Sequence, residues 1–190
     1  MSEKYKGRYR IESARLKNWD YASSGLYFVT ICTANRELYF GDIVNGEMIL
    51  SAVGELAKTY WNEIPKHFPF VELDSFVVMP NHVHGIITIN KPDDGKNNND
   101  RKVETSNLGV STLDVSTTRM ASNAWKPGSL GVIINQYKRI CTINARKIHA
   151  DFAWQSRFYD HIIRNDESLE RIRDYIKSNP LKWAMDKFYE

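Results

Sequence analysis

Apolar positions change period along the chain, and the changes mark the elements. Leu26–Thr33, LYFVTICT, is a dense run of aromatic and β-branched residues that predicts a buried strand. Tyr39-Phe40 and Met48-Ile49-Leu50 flank Asn45-Gly46, a pair that favours a tight hairpin turn, so a small accessory ribbon is expected. After Ser51, a predicted N-cap, Val53, Leu56, Ala57, Tyr60, Trp61 and Ile64 follow the spacing of one helix face, and Pro65 is expected to stop it. Tyr60 and Trp61 on that stripe read as core. Val71–Met79 and His82–Ile89 read as antiparallel strands joined at Pro80-Asn81. Ser129–Ile148 reads as a second helix, with Ile133, Tyr137, Ile140, Cys141 and Ile148 on its apolar side. Phe152–Ile163 is strand-like. Arg164-Asn165-Asp166 then offers caps for a third helix marked by Leu169, Ile172 and Ile176. Pro180 disfavours helical geometry at Asn179 and is expected to end that helix.

Two stretches lack a period. Residues 1–20 are polar and basic and read as an arm or a surface-packed lead-in. Residues 91–128 are rich in Ser, Thr and Asn and read as a polar loop insertion, mobile or functional, with a short strand near Val110 and Leu113. The remaining order is β-α-β-β-α-β followed by a helix. That order predicts a single α+β domain over 1–190: a ferredoxin-like antiparallel sheet with a C-terminal helix and an accessory hairpin. Helices on one face of such a sheet leave the other face for a site.

Composition narrows the class without naming it. The chain has 190 residues, 42% of them apolar, so it can bury a substantial core. Its net charge of +3 is compatible with a nucleic-acid partner but does not require one. The two cysteines, Cys32 and Cys141, sit in apolar patterns and form no zinc-ligand spacing, which fits buried thiols in a reducing cytoplasm. No run is long and apolar enough for a membrane span, and the N-terminus lacks a signal core, so a cytoplasmic location and no membrane partner are expected.

Candidate chemistry centres on His82-Val83-His84. In a strand, residues two apart share a face, so both imidazoles point the same way. Tyr175 and Asn179 are four apart and share a helix face. An amide oxygen from Asn179 would complete a His82, His84, Asn179 set suited to Mg²⁺ or Mn²⁺ with open positions for substrate oxygens. A tyrosine hydroxyl titrates near 10 and is a poor nucleophile alone, but becomes useful where a metal polarises the electrophile. A phosphodiester is the natural electrophile. Lys138, Thr142 and Arg146 line up along the second helix beside Arg139, and together with Arg157 the cations are candidate phosphate contacts. Each feature also has an ordinary structural explanation, and periodicity does not show that the strand and the third helix meet.

The run VELDSFVVMPNHVHGIITI, followed downstream by WQSRFYDHIIRNDESLERIRDYIKSNPLKW, resembles the REP-associated tyrosine transposases of the single-tyrosine HUH superfamily. GLYFVTICTANRELYFGDI and MILSAVGELA resemble the same group. The resemblance implies cutting of single-stranded DNA near a hairpin, a 5′-phosphotyrosine intermediate, a free 3′-OH and a divalent metal. It implies that His82 and His84 are the histidine pair, Tyr175 the nucleophile in DYI-x-x-NP, and Asn179 the remaining metal ligand. It places Lys138 in a basic helix that helps bind DNA. Some relatives exchange the tyrosine helix between subunits, so both a monomer and a homodimer, hinged near Ser178–Trp183, stay open. Tyr159 and His161 are further motif-like residues, and Tyr175 is preferred to Tyr159 because it has the partner four residues on. Two rival readings use the same residues: a non-catalytic single-stranded DNA-binding protein of this fold, and a metal hydrolase that uses water in place of tyrosine.

Overall fold

The strand at Gly25–Cys32 has almost no polar side chain to turn toward water, and it becomes an inner strand covered on both faces. The computed structural model describes residues 19–92, 126–186 and 188–189, together with the backbone of two short strands near the N-terminus, β1 (Lys4–Tyr5) and β2 (Arg8–Tyr9). These two pair antiparallel within the stretch expected to be an arm. The expected strand near Val110 and Leu113, and most of the expected loop insertion, lie outside the described residues.

The elements that follow are β3 (Gly25–Cys32), β4 (Gly41–Val44), β5 (Glu47–Leu50), α1 (Ala52–Asn62), α2 (Ile64–His67), β6 (Val71–Met79), β7 (His82–Ile89), α3 (Leu130–Ala145), β8 (Tyr159–Ile163) and α4 (Asp166–Ser178). A 3-10 turn at Pro180–Met185 closes the series. The main sheet has the order β6-β7-β3-β8, with every pair antiparallel, and β4 and β5 form the accessory ribbon. This is the α+β, ferredoxin-like arrangement that the element order predicts. Asn45 and Gly46 both take positive φ, 53° and 80°, as a two-residue hairpin turn demands.

Strand alternation sorts the core into two layers. Tyr27, Val29 and Ile31 of β3 face the same side as Val83, Ile87 and Ile89 of β7, and α1 and α3 cover that side with Trp61, Ile133, Ile134 and Tyr137. The Tyr137 hydroxyl donates to the Ala57 carbonyl at 3.1 Å, tying α3 to α1. On the opposite face, Phe28, Ile86 and Ile163 meet Ile176 of α4, with Leu169 and Ile172 beside it. The face left open by the first two helices is therefore the face that α4 covers.

Several expected boundaries shift. Pro65 does not stop α1, which ends at Asn62; Pro65 occupies the first turn of α2, where its missing N–H costs nothing. The second helix ends at Ala145, and Ile140 and Ile148, expected on its apolar side, are exposed, while Ile134 and Ala145 enter the core. The expected strand at 152–163 keeps only Tyr159–Ile163. Upstream of it, Phe152 and Trp154 turn inward against Phe40, and Arg146 Nε and Lys138 Nζ donate to the carbonyls of Phe152 and Gln155. Asn179 is helical at φ −60° and ψ −45°, against the expectation set by Pro180. The general bias before proline is overridden because Pro180 starts the 3-10 turn, and burial of Asn179 and Trp183 holds the chain there.

Gly85 sits between the two core layers on β7. A Cβ at this position would lie 2.1 Å from Trp61 Cζ2, so the indole rests directly on the strand backbone. Gly85→Ala is expected to cost about 1–3 kcal/mol through displacement of Trp61, measured by urea unfolding, and trimming the indole with Trp61→Phe in the same chain should recover part of the loss.

Candidate active site

The site is built on two neighbouring strands. Pairing of Cys32 with His82 and of Thr30 with His84 sets both imidazoles on the α4 face of β7, and both are buried. Their Nε2 atoms stand 3.0 Å apart. Asn81 fixes one of the two rings. Its Nδ2 donates to the Phe188 carbonyl at 2.8 Å, which leaves Oδ1 to face His82 Nδ1, also at 2.8 Å. An amide oxygen only accepts, so His82 Nδ1 carries the proton and His82 Nε2 presents a lone pair toward His84. His84 Nδ1 meets the Thr30 hydroxyl at 2.9 Å. That hydroxyl donates or accepts by rotating, so His84 adopts either tautomer without losing the bond.

Helix α4 delivers the remaining groups. Its N-cap is Asn165, whose side chain accepts from Ser168 N at 2.8 Å. Ile176 anchors the helix to the sheet, and one residue earlier the Tyr175 hydroxyl lies 3.1 Å from His84 Nε2. Burial and the Asp186 carboxylate push the Tyr175 hydroxyl above its ordinary value, and a polar contact from Asn179 draws it partly back. Asn179 is buried one helical turn later, and its Oδ1 has no hydrogen-bond partner among the described residues. A buried acceptor without a partner carries a desolvation cost that a cation or a donor would relieve.

An acidic group comes from beyond Pro180. The ligand atoms of His82, His84 and Asp186 all lie within 4.8 Å of one another. Two imidazoles and a carboxylate can hold a divalent metal, and the fit has a geometric side: nitrogens about 2.1 Å from one octahedral ion, at right angles, stand about 3 Å apart. His84, Tyr175, Asn179 and Asp186 line one cavity of about 650 Å³ together with Thr30. Sequence reasoning missed Asp186, Thr30 and Asn81 as parts of the site. Thr30 carried a signal, being a polar residue inside a buried run on the same face as Phe28. Asp186 carried none beyond being the first acid after Pro180.

The four cations singled out from sequence do not form one surface. Lys138 and Arg146 are engaged with the backbone carbonyls already named, and burial lowers the Lys138 ammonium to about 8. Arg139 lines a groove between α1 and α3, while Arg157 lines a different cavity with Arg36 and Trp154. His161 lies on β8 opposite Phe28, one pleat from Tyr159.

No family model matches the chain. An uncharacterized Haemophilus influenzae protein is 39% identical over the whole of this chain and 99% of its own length. Two further proteins carry the name REP-associated tyrosine transposase. One, from H. influenzae, is 26% identical over 86% of this chain and 74% of its own; the other, from Escherichia coli, is 24% identical over 85% and 70%. The chain is similar to the REP-associated tyrosine transposases over most of its length. A solved structure of a REP-associated tyrosine transposase bound to a REP hairpin matches with a TM-score of 0.57 at 20% identity, covering 93% of this chain and 77% of that one, which shows the shared fold. That similarity supports a transposase role for this chain. Among the described residues no helix is long and apolar enough to cross a membrane.

One ion pair bears on the tyrosine's placement. Strand β6 shifts register between Leu73 and Phe76, and Asp74 at that irregularity takes Arg173 Nε at 3.0 Å and Nη2 at 2.5 Å. Arg173 also reaches Glu170 on its own helix. The guanidinium, with help from Ser75 N–H, holds the Asp74 carboxyl down at about 2. A depressed folded-state value means the pair stabilises fully above the ordinary carboxylate range and fades as pH falls toward 2. At pH 7, Asp74→Asn should lower the urea midpoint, and the gap between wild type and variant should narrow as pH drops from about 4 to about 2.

Proposed function

We propose that this chain is a divalent-metal-dependent nickase and strand transferase acting on single-stranded DNA beside a hairpin, with Tyr175 as nucleophile. The observation that carries the reading is the Tyr175 hydroxyl 3.1 Å from His84 Nε2, itself 3.0 Å from His82 Nε2, in a buried polar row at the foot of an open cavity. His82 and His84 are the nitrogen ligands in this reading, with oxygen from Asp186 and Asn179. A divalent ion held there supplies positive charge for a non-bridging phosphate oxygen and offsets the Asp186 charge that raises Tyr175. Tyr175 Oη attacks phosphorus in line, the bond from phosphorus to the 3′ oxygen breaks, and that oxygen leaves as a 3′-OH with the proton given up by Tyr175 or solvent. The phosphate remains on Tyr175 as a 5′-phosphotyrosine, which keeps the ester for rejoining. The family name of the relatives, and the hairpin bound by the structural neighbour, support hairpin DNA as the substrate class.

Asn81 and Thr30 orient the two imidazoles from behind. Removing such an orienting partner commonly costs 10–100-fold in metal affinity, so Asn81→Ala should weaken Mn²⁺ binding by roughly that factor. His84→Ala should abolish it, as read by isothermal titration in the absence of DNA.

The reaction class is checked by intact-protein mass after incubation with Mn²⁺ and hairpin-bearing oligonucleotides from the sequence flanking the gene. Wild type should gain the mass of a DNA fragment, and Tyr175→Phe and His82→Ala should not. Cleavage retained by Tyr175→Phe without any adduct would replace the tyrosine with water. Tight binding with neither cleavage nor adduct would make the chain a DNA-binding protein.

A further inference from the structure

The groove at Tyr175 continues past it, along the outer edge of the sheet. β8 is an edge strand, and alternation puts Tyr159 and His161 on its α4 side, opposite Thr30 and Phe28. The Tyr159 ring is 53% exposed and stands edge-on to Phe28, with centroids 6.4 Å apart and planes at 70°, so a ring face is free of that contact. Across the groove, Arg171 sits four residues before Tyr175 on the same face of α4. Tyr159 and Arg171 line both the cavity that holds His84 and Tyr175 and a second cavity, of about 560 Å³, that reaches His161 and Arg164. The two cavities therefore join at Tyr159 and Arg171 into one track. Lys182 and Asp186 line its metal-site end and Asp160, Arg164 and Glu167 the far end, so with Arg171 between them the cations outnumber the acids only from Arg171 to Lys182.

An aromatic face flanked by cations, beside a group that attacks phosphorus, meets the two needs of an unpaired strand: a π surface for a base and charge for the backbone. A duplex keeps its base faces stacked and cannot use the ring. The simpler account, that Tyr159 only covers Phe28, leaves its exposure unexplained, because Phe28 is already packed by His84 and Tyr175. We infer that Tyr159 is a stacking platform for an unpaired base next to the scissile phosphate, and that Arg171 and Lys182 hold the backbone of the same strand. The inference rests on Tyr175 being the nucleophile and adds the path by which the strand reaches it.

The test uses the full chain, Mn²⁺ and a hairpin oligonucleotide that wild type cleaves. Binding is measured by fluorescence anisotropy on Tyr175→Phe, which does not process the DNA, while single abasic spacers replace each base on either side of the scissile phosphate. One spacer position should weaken binding roughly tenfold. Adding Tyr159→Ala should remove that dependence on the base, and Tyr159→Phe should restore it, since phenylalanine keeps the π face. Arg171→Ala and Lys182→Ala should each lower the slope of log affinity against log salt by about 0.7. A spacer penalty unchanged by Tyr159→Ala overturns the platform while leaving the nucleophile intact. An adduct formed by Tyr175→Phe and lost in Tyr159→Phe overturns both, because Tyr159 would then be the attacking group.

Discussion

Everything chemical in this molecule depends on how α4 lies on the sheet. The contact is narrow: Ile176, the only fully buried side chain of the helix, sits against Phe28, Ile86 and Ile163, and the Arg173–Asp74 pair pins the helix to β6. Tyr175 lies between these two anchors in sequence, so its hydroxyl cannot drift from His84 without loosening one of them. A surface ion pair contributes little on its own. This one is bidentate and partly buried, and it joins elements 99 residues apart in the chain, so its effect is on orientation more than on total stability.

The buried polar row has its own logic. Burying two imidazoles is costly unless each nitrogen is answered, and Asn81 and Thr30 answer the two Nδ1 atoms from either side. The Nε2 atoms are left facing one another. His82 cannot turn its lone pair elsewhere because Asn81 is itself fixed by the Phe188 carbonyl. With Asp186 close by and the Asn179 oxygen unanswered among the described residues, the row gathers acceptors that favour a cation. The arrangement is preorganised: Asn81 and Thr30 hold both rings in place from the Nδ1 side.

The chain pattern showed the strand order, both main helices of the first layer, the hairpin turn and the strand that carries the histidines, because each depends on local alternation or helical spacing. It misjudged places where tertiary contacts outweigh a local rule. The aromatic residues from Phe152 to Phe158 have strand composition, yet Phe152 and Trp154 are drawn into the core while Lys138 and Arg146 occupy nearby carbonyls. The same two cations are among the candidate phosphate contacts of the sequence, and a helical wheel shows their spacing but not the carbonyls they engage.

By itself the sequence determined that His82 and His84 share a face, that Tyr175 and Asn179 share a face, and that the sheet would be covered on at least one side. These follow from the two-residue period of a strand and the near-four-residue period of a helix, which are properties of the backbone alone. Only the tertiary structure decided that those two faces meet, that Asp186 joins them from beyond Pro180, that Asn81 sets the tautomer of His82, and that Thr30 meets His84. Such contacts join residues up to 107 positions apart, as in Asn81 and Phe188. They arise from the packing of α4 against a particular register of β3 and β7, which no local period encodes.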